Sequence, residues 1–306
     1  MRLAASRPSY LAAALVSVAL TTYACSDPAS TASVRTSAAS AAARAGSDQA
    51  GVHRQYGEPL RVGNGRARTY VVIDQKAGRT LELGVALDER AMEGLRAPVS
   101  GADPHQDHDM HLLRLPNLHA SAFTFVELDW NPQGHGEPYN EGHFDFHFWT
   151  ASEAERHAIM PSDPQYAAKA GRNPAASDIP PFYFNPATAL GLPPEVVAVP
   201  MMGMHWLDAR SPELQGMLGN PQAYKPFTTT FIYGTWDGQL IFMEPMITRS
   251  HIVAKRDASD PAVRDQVIPI PTSPTYPAGG FRPDAYRIAW DAQAREYRIA
   301  LVVTGS

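Results

Sequence analysis

The segment TTTFIYGTWDGQLIFMEP, residues 228–245, sets two runs of β-branched and aromatic residues around Asp237-Gly238. Asp-Gly readily supplies the two positive φ angles of a type I′ turn, so the segment reads as a β-hairpin, and the sheet containing it must be antiparallel at that point. With that turn Trp236 faces Gln239, and counting outward pairs Phe231 with Glu244. Glu244 is then expected on the same side as Phe242 and Tyr233.

Other runs have the same character. ARTYVVID (67–74) and TLELGVAL (80–87) flank the turn-like QKAGR, and a short helix is expected in DERAMEGL. HLLRLP, SAFTFVELDW (121–130) and HFDFHFW (143–149) read as further strands, and AYRIAW with EYRIALVV as a second hairpin. SEAERHAIM opens on Ser152 with Glu155 three residues on, a capping-box helix start. The Pro- and Asn-rich stretch 161–198 is expected to wrap the surface, with PFYFN and EVVAVP as short extended pieces. Many short strands and few helices predict a mainly β fold, an antiparallel β-sandwich or barrel (cupin-like or jelly-roll-like) with peripheral helices. Hydrophobic residues make up 44% of the 306 and charged residues 19%, enough apolar material for a sizeable core.

The N-terminus is different in kind. Arg2 and Arg7 precede YLAAALVSVAL, an apolar run too short to cross a bilayer comfortably, and small residues follow, as in a secretory signal. Cys25, the only cysteine, stands directly after this run and resembles the lipid-modified cysteine of bacterial lipoproteins; simple cleavage after Ala24 is the alternative. The expected organisation is a signal peptide over 1–25, a flexible Ala/Ser-rich tether over 26–52 and a single β-rich domain over 53–306. The product would be exported to the cell envelope or periplasm, touching the membrane only through a lipid anchor. A net charge of −5 without any Lys/Arg run argues against nucleic acid as a partner. A homo-oligomer is left open. With one cysteine there is no disulfide and no thiolate set, so any metal must be held by His and carboxylates.

Chemistry concentrates in three places. HFDFHFW alternates His143, Asp145 and His147 with Phe144, Phe146 and Phe148, and His135 lies just before it. An extended chain puts the polar residues on one face and the aromatic residues on the other. MMGMHWLD carries His205 and Asp208, and IFMEPMI places Glu244 inside an apolar run. Alternation alone also describes a half-buried strand with a wet face. An unpaired Glu244 in an apolar strand, however, needs a compensating partner, either an arginine or a cation. His143 and His147 are about 13 Å apart on a straight strand, near the limit for two imidazoles on one ion. Either a pair two residues apart supplies ligands, or a bulge brings the histidines together. The stretch 103–111, DPHQDHDMH, reads as a wet loop leading into a strand. No Gly-x-Ser-x-Gly, catalytic cysteine or phosphate-binding glycine loop occurs.

The blocks LDWNPQGHGEPYNEGHFDFHFW, VPMMGMHWLDARSPEL and FTTTFIYGTWDGQLIFMEPMIT resemble an uncharacterised bacterial family of exported proteins, a domain of unknown function related to a hydrolase-like protein from Thermus. The resemblance covers about residues 56–250. It implies that His143, Asp145, His147, His205, Asp208 and Glu244 share one site. Three histidines and a glutamate drawn from strands are also similar to the metal site of cupins, although the cupin spacing is not met.

The resulting expectation is one divalent metal, Zn²⁺ first and Fe or Mn as alternatives, held by His143, His147, His205 and Glu244. Asp145 and His135 would support the ligands from behind, and Glu244 or Asp208 would act as general base in a metal-dependent hydrolase of an unspecified small molecule. The alternatives are a non-catalytic metal-binding or structural envelope lipoprotein and a cupin-like Fe/Mn oxygenase.

Overall fold

Most of the β-prone runs become strands where the sequence places them. The computed structural model describes residues 51–101, 107–116 and 121–305. Cys25, the signal and nearly all of the tether lie outside the described residues, as do His105 and His119. In chain order the strands are β1 (Val52–Tyr56), β2 (Leu60–Val62), β3 (Gly65–Asp74), β4 (Arg79–Asp88), β5 (Asp109–Arg114), β6 (Phe125–Asn131) and β7 (His143–Trp149). They continue with β8 (Tyr183–Phe184), β9 (Met204–Asp208), β10 (Thr229–Trp236), β11 (Gln239–Thr248), β12 (Asp265–Pro269), β13 (Ala285–Asp291) and β14 (Glu296–Val302).

These strands form two antiparallel seven-stranded sheets. The first has the order β1-β3-β4-β14-β13-β12, with β2 on β3, and the second the order β5-β6-β7-β11-β10-β9-β8. The chain passes between the sheets after β4 and again after β11, so the second sheet is one continuous stretch, β5–β11, and the first joins the two stretches that flank it. A sandwich is therefore the form adopted. The closed barrel is not, and strands do not interleave between sheets as they do in a jelly roll.

The faces that meet are apolar. Val71, Leu83, Val85, Ile288, Ile299 and Leu301 of the first sheet join one buried cluster with Val126, Leu128, Phe144, Phe146, Phe148 and Tyr233 of the second. Phe231 packs on Tyr286 across the sandwich with ring centroids 5.4 Å apart. The Tyr233 hydroxyl donates to the Pro271 carbonyl at 2.8 Å. Burial of such side chains, at about 25 cal/mol per Å² of apolar surface, is the main force holding the two layers together.

The hairpin turn forms with positive φ at Asp237 and Gly238, and Trp236 faces Gln239. Beyond that the expected register fails by one residue. A bulge between Gly234 and Thr235 puts Phe231 opposite Pro245 and Ile232 opposite Glu244. Because side chains alternate with period two, this slip moves Tyr233 to the inner face and leaves Glu244 with Phe242 on the outer one. Two further expectations change. Pro194–Val197, which takes in the first half of EVVAVP, is a helical turn entered through Pro194, whose fixed φ suits the first helical position. The end of the loop read as wet carries a buried Asp107, which accepts from the Val99 amide at 3.0 Å, from Gln133 at 2.8 Å and from Arg96. The capping box forms as expected on helix Glu153–His157, with Ser152 and Glu155 bonding each other's backbone.

Candidate metal centre

The polar face of HFDFHFW is not wet. Every residue of β6 and β7 is buried, on both faces. The outer face of the second sheet is covered by the connections around it. Helix Glu153–His157 brings Arg156 over it, and Phe227 packs against Tyr139 and His143, with centroids 5.1 Å and 5.3 Å away.

Strand register builds the ladder under that cover. Between β6 and β7, Glu127 faces His147, Asp129 faces Asp145 and Asn131 faces His143. The β7–β11 pairing carries Phe242 opposite Trp149 and Met246 opposite Asp145, which brings Glu244 level with His147. Pro245 beside it has no N–H to give the ladder. On the far side β9 sets His205 opposite Gly234. Gly234 must be glycine: a Cβ there would enter the ring of Phe242, which packs under His147 and His205 at 4.9 Å and 5.2 Å. Gly203 leads into β9 with φ +82, and a Cβ there would strike the Thr235 carbonyl.

His147, His205 and Glu244 converge. One donor atom from each lies within 4.8 Å of the others. His147 Nε2 stands 3.6 Å from Glu244 Oε1, and His205 Nε2 stands 3.8 Å from Glu244 Oε2. Two donors each about 2.1 Å from a tetrahedral ion are about 3.4 Å apart, so the spacing suits shared coordination. It is too long for hydrogen bonds, and His147 Nε2 and Glu244 Oε2 are buried without a hydrogen-bond partner. Behind the site His147 Nδ1 faces Asp129 Oδ2 at 3.3 Å without a hydrogen bond, and His205 has a backbone hydrogen bond to Gly203.

A second group lies beside the first. Asp145 Oδ2 is 3.0 Å from His135 Nε2 and accepts from Asn131 Nδ2 at 2.8 Å, while Asp145 Oδ1 is 3.2 Å from His143 Nε2. The four-ligand set expected from the sequence therefore divides, with His143 going to His135 and Asp145. His143 and His147 lie four residues apart on one strand, about 13 Å at the usual rise, and fall in different groups. Asp145 supports His143 and His135, not His147. Asp208 stands apart: three residues from His205 on one strand it faces the other way, and Arg210 holds its carboxylate at 2.7 Å and 3.1 Å.

Electrostatics make the ladder costly without a counterion. Glu127, Asp129, Asp145 and Glu244 are all buried, and the guanidinium among them belongs to Arg156, which donates to Glu127. Burial and the neighbouring Asp129 push the Glu127 carboxyl up to about 7. Burial and then Asp145 raise Asp129 well above the usual carboxylate range. Burial, reinforced by Asp145, Asp129 and Glu127, does the same to Glu244. Asp145 goes the other way: burial opposes its charge, yet His143 and His135 hold it well below the ordinary value. Burial keeps both imidazoles of the first group neutral, depressing His147 and bringing His205, which also feels His147, down to about 3. Neutral imidazoles are the form that binds metal.

Glu127, Asp129, Asn131 and Arg156 escape the sequence reading. The FVELDWN run alternates polar with apolar residues just as HFDFHFW does, and that shared alternation on consecutive strands was the available signal.

Comparison with family profiles, curated proteins and solved structures finds no match to this chain. The functional reading therefore rests on the site itself.

Proposed function

We propose that this protein is an exported metal-dependent hydrolase acting on a small molecule, with one divalent ion, Zn²⁺ by preference, on His147, His205 and Glu244. The observation that carries the reading is the convergence of two neutral imidazoles and one carboxylate at coordination spacing. Three protein ligands are the number typical of catalytic zinc sites, which keep a position for water or substrate. A fourth side-chain ligand would favour a closed structural site, and the separation of His143 removes the candidate for that role.

The His205 side chain is 21% exposed while His147 and Glu244 are almost fully buried, so His205 is the member of the group nearest solvent. Bound zinc would supply a water of lowered pKa and polarise a substrate carbonyl or phosphoryl oxygen. The chain's residues frame the ligands: Asp129 lies behind the His147 ring, Gly203 hydrogen-bonds the His205 ring, and Phe242 forms the floor. Two histidines and a carboxylate also suit Fe(II), so a cupin-like oxygenase is the second reading, favoured by the donor set alone. The signal-like leader supports export, and Cys25 supports a lipid anchor in the cell envelope.

The test is metal analysis of the full chain purified without a histidine tag, followed by hydrolysis assays on ester, amide and phosphoester panels. Zinc retained by the wild type, lost in His205→Ala, and hydrolysis that falls with it are expected. A protein that takes up no divalent ion after stripping and reloading would overturn the reading.

A further inference from the structure

The second group on the ladder is more than a support for the first. We infer that His135, His143 and Asp145 form a second cation position, so that the covered face of the sheet holds two divalent ions side by side. The inference does not depend on hydrolysis, and the second position is tested separately from the first.

The argument begins with the proton on His143. Its Nδ1 lies 2.7 Å from the Glu141 carbonyl, which can only accept, so Nδ1 carries the hydrogen. His143 Nε2 then faces Asp145 Oδ1 at 3.2 Å in a fully buried setting, and neither atom has a hydrogen-bond partner among the described residues. Two buried, unpaired ligand atoms at that spacing are satisfied by a cation between them. A carbonyl-anchored imidazole presenting its other nitrogen beside a carboxylate is the arrangement of a metal ligand.

His135 completes the set. Its Nε2 reaches the other oxygen of Asp145 at 3.0 Å, and one donor atom each from His135, His143 and Asp145 falls within 4.8 Å of the others. The pair spacings of 3.0 Å and 3.2 Å bracket the first position from below, as 3.6 Å and 3.8 Å do from above, around the roughly 3.4 Å of two donors on one ion. Asn131 Nδ2 fixes the carboxylate from the side at 2.8 Å.

Charge supplies the independent reason. Asp129 lies opposite Asp145 in register and 3.3 Å from His147, hence between the two groups, and neither of its oxygens has a hydrogen-bond partner. Four buried carboxylates, those of Glu127, Asp129, Asp145 and Glu244, share this face with one guanidinium, that of Arg156, so the face offers acidic oxygens to a second divalent ion as well as to the first.

The experiment is zinc stoichiometry by equilibrium dialysis and mass spectrometry on the full chain, stripped with chelator and reloaded with Zn²⁺. Two equivalents in the wild type, one in His135→Ala, one in Glu244→Gln and none in the double variant are expected. One equivalent that His135→Ala retains and Glu244→Gln abolishes would overturn the second position and leave the first intact. One equivalent with the opposite pattern would support the second position and remove the first; no uptake would remove both. Should His135→Ala fold poorly, ¹¹³Cd NMR of the wild type decides without it: two cadmium resonances support the inference and a single one overturns it.

Discussion

His147 Nδ1 stands 3.3 Å from Asp129 Oδ2, with both side chains almost wholly removed from solvent. The carboxylate faces Nδ1 while Nε2 stands toward Glu244 and His205, which places Asp129 directly behind the first site. Asp129→Asn keeps the size of the side chain and takes away its ability to ionise when a cation binds. We expect zinc affinity to fall by about 10- to 100-fold, the usual effect of losing a carboxylate behind a ligand histidine, with the fold retained. Competition titration against a chelating dye measures the first and near-ultraviolet circular dichroism the second.

Metal removal should expose the cost of the ladder as a pH dependence. Glu127 is pushed up to about 7 and Glu244 is raised well above its ordinary value, so the folded metal-free protein holds protons that the unfolded chain has released. Stability from these groups is complete below their unfolded pKa, near 4.5, and is lost as pH rises, through about 7 for Glu127 and beyond the ordinary range for Glu244. These carboxyls favour the chelated protein near pH 5 over pH 8, while the depressed His147 and His205 act the other way below about 6.5. The carboxyl contribution is therefore read in urea unfolding as the difference between the wild type and Glu244→Gln at the two pH values. Glu244→Gln should weaken the preference for pH 5, since the amide cannot ionise and no hydrogen bond of Glu244 Oε2 is lost. Added zinc should reverse the trend in the wild type alone.

Binding at neutral pH should release protons for the same reason. Burial holds His147 and His205 toward the neutral form, whereas Glu244 keeps its proton to higher pH than an ordinary carboxyl, so ion binding draws that proton off. Calorimetric titrations in buffers of different ionisation enthalpy should report proton release on filling the first site. Glu244→Gln should abolish that release together with the binding.

How far the sequence carried these conclusions depended on range. Alternation in HFDFHFW and the Asp237-Gly238 turn are local signals, and the strands and the turn form as they predict. The face that is buried is a tertiary fact. An alternating strand reads the same whether its polar side meets water or a covering loop, and only the packing of Arg156 and Phe227 decides. The bulge at Gly234 is a one-residue event that shifted Tyr233 away from Glu244. Assigning His143 to the first site failed on strand geometry that the sequence did contain: roughly 13 Å of rise separates it from His147. Asp129 was missed because its significance comes from facing Asp145 across two strands, a register that no single segment reveals.

Asp208 offers a control on the same strand as His205. Arg210 satisfies its carboxylate and the residue also accepts from the Arg210 amide at 2.9 Å, so it shapes a turn. Asp208→Asn should leave zinc stoichiometry and affinity within about twofold of wild type, and the exposed arginine pair should cost no more than about 1 kcal/mol in stability. A loss of zinc in this variant would restore Asp208 to the site and reject the strand-face argument.

Gly234→Ala tests the floor of the site without touching a ligand. The added methyl meets the Phe242 ring, which is fully buried against Trp149 at 4.8 Å and has no open side to move into. Either β10 shifts outward or the ring tilts toward His147 and His205. Overpacking of this kind costs about 1–3 kcal/mol, and urea unfolding of the chelated protein should show it. The displaced ring also changes the spacing of His147 and His205 about Glu244, so zinc affinity should fall as well. Combining Gly234→Ala with Phe242→Leu should restore part of both losses, because the smaller side chain returns the space that the methyl takes. Recovery of stability without recovery of zinc affinity would show that Phe242 supports the strands but does not set the geometry of the site.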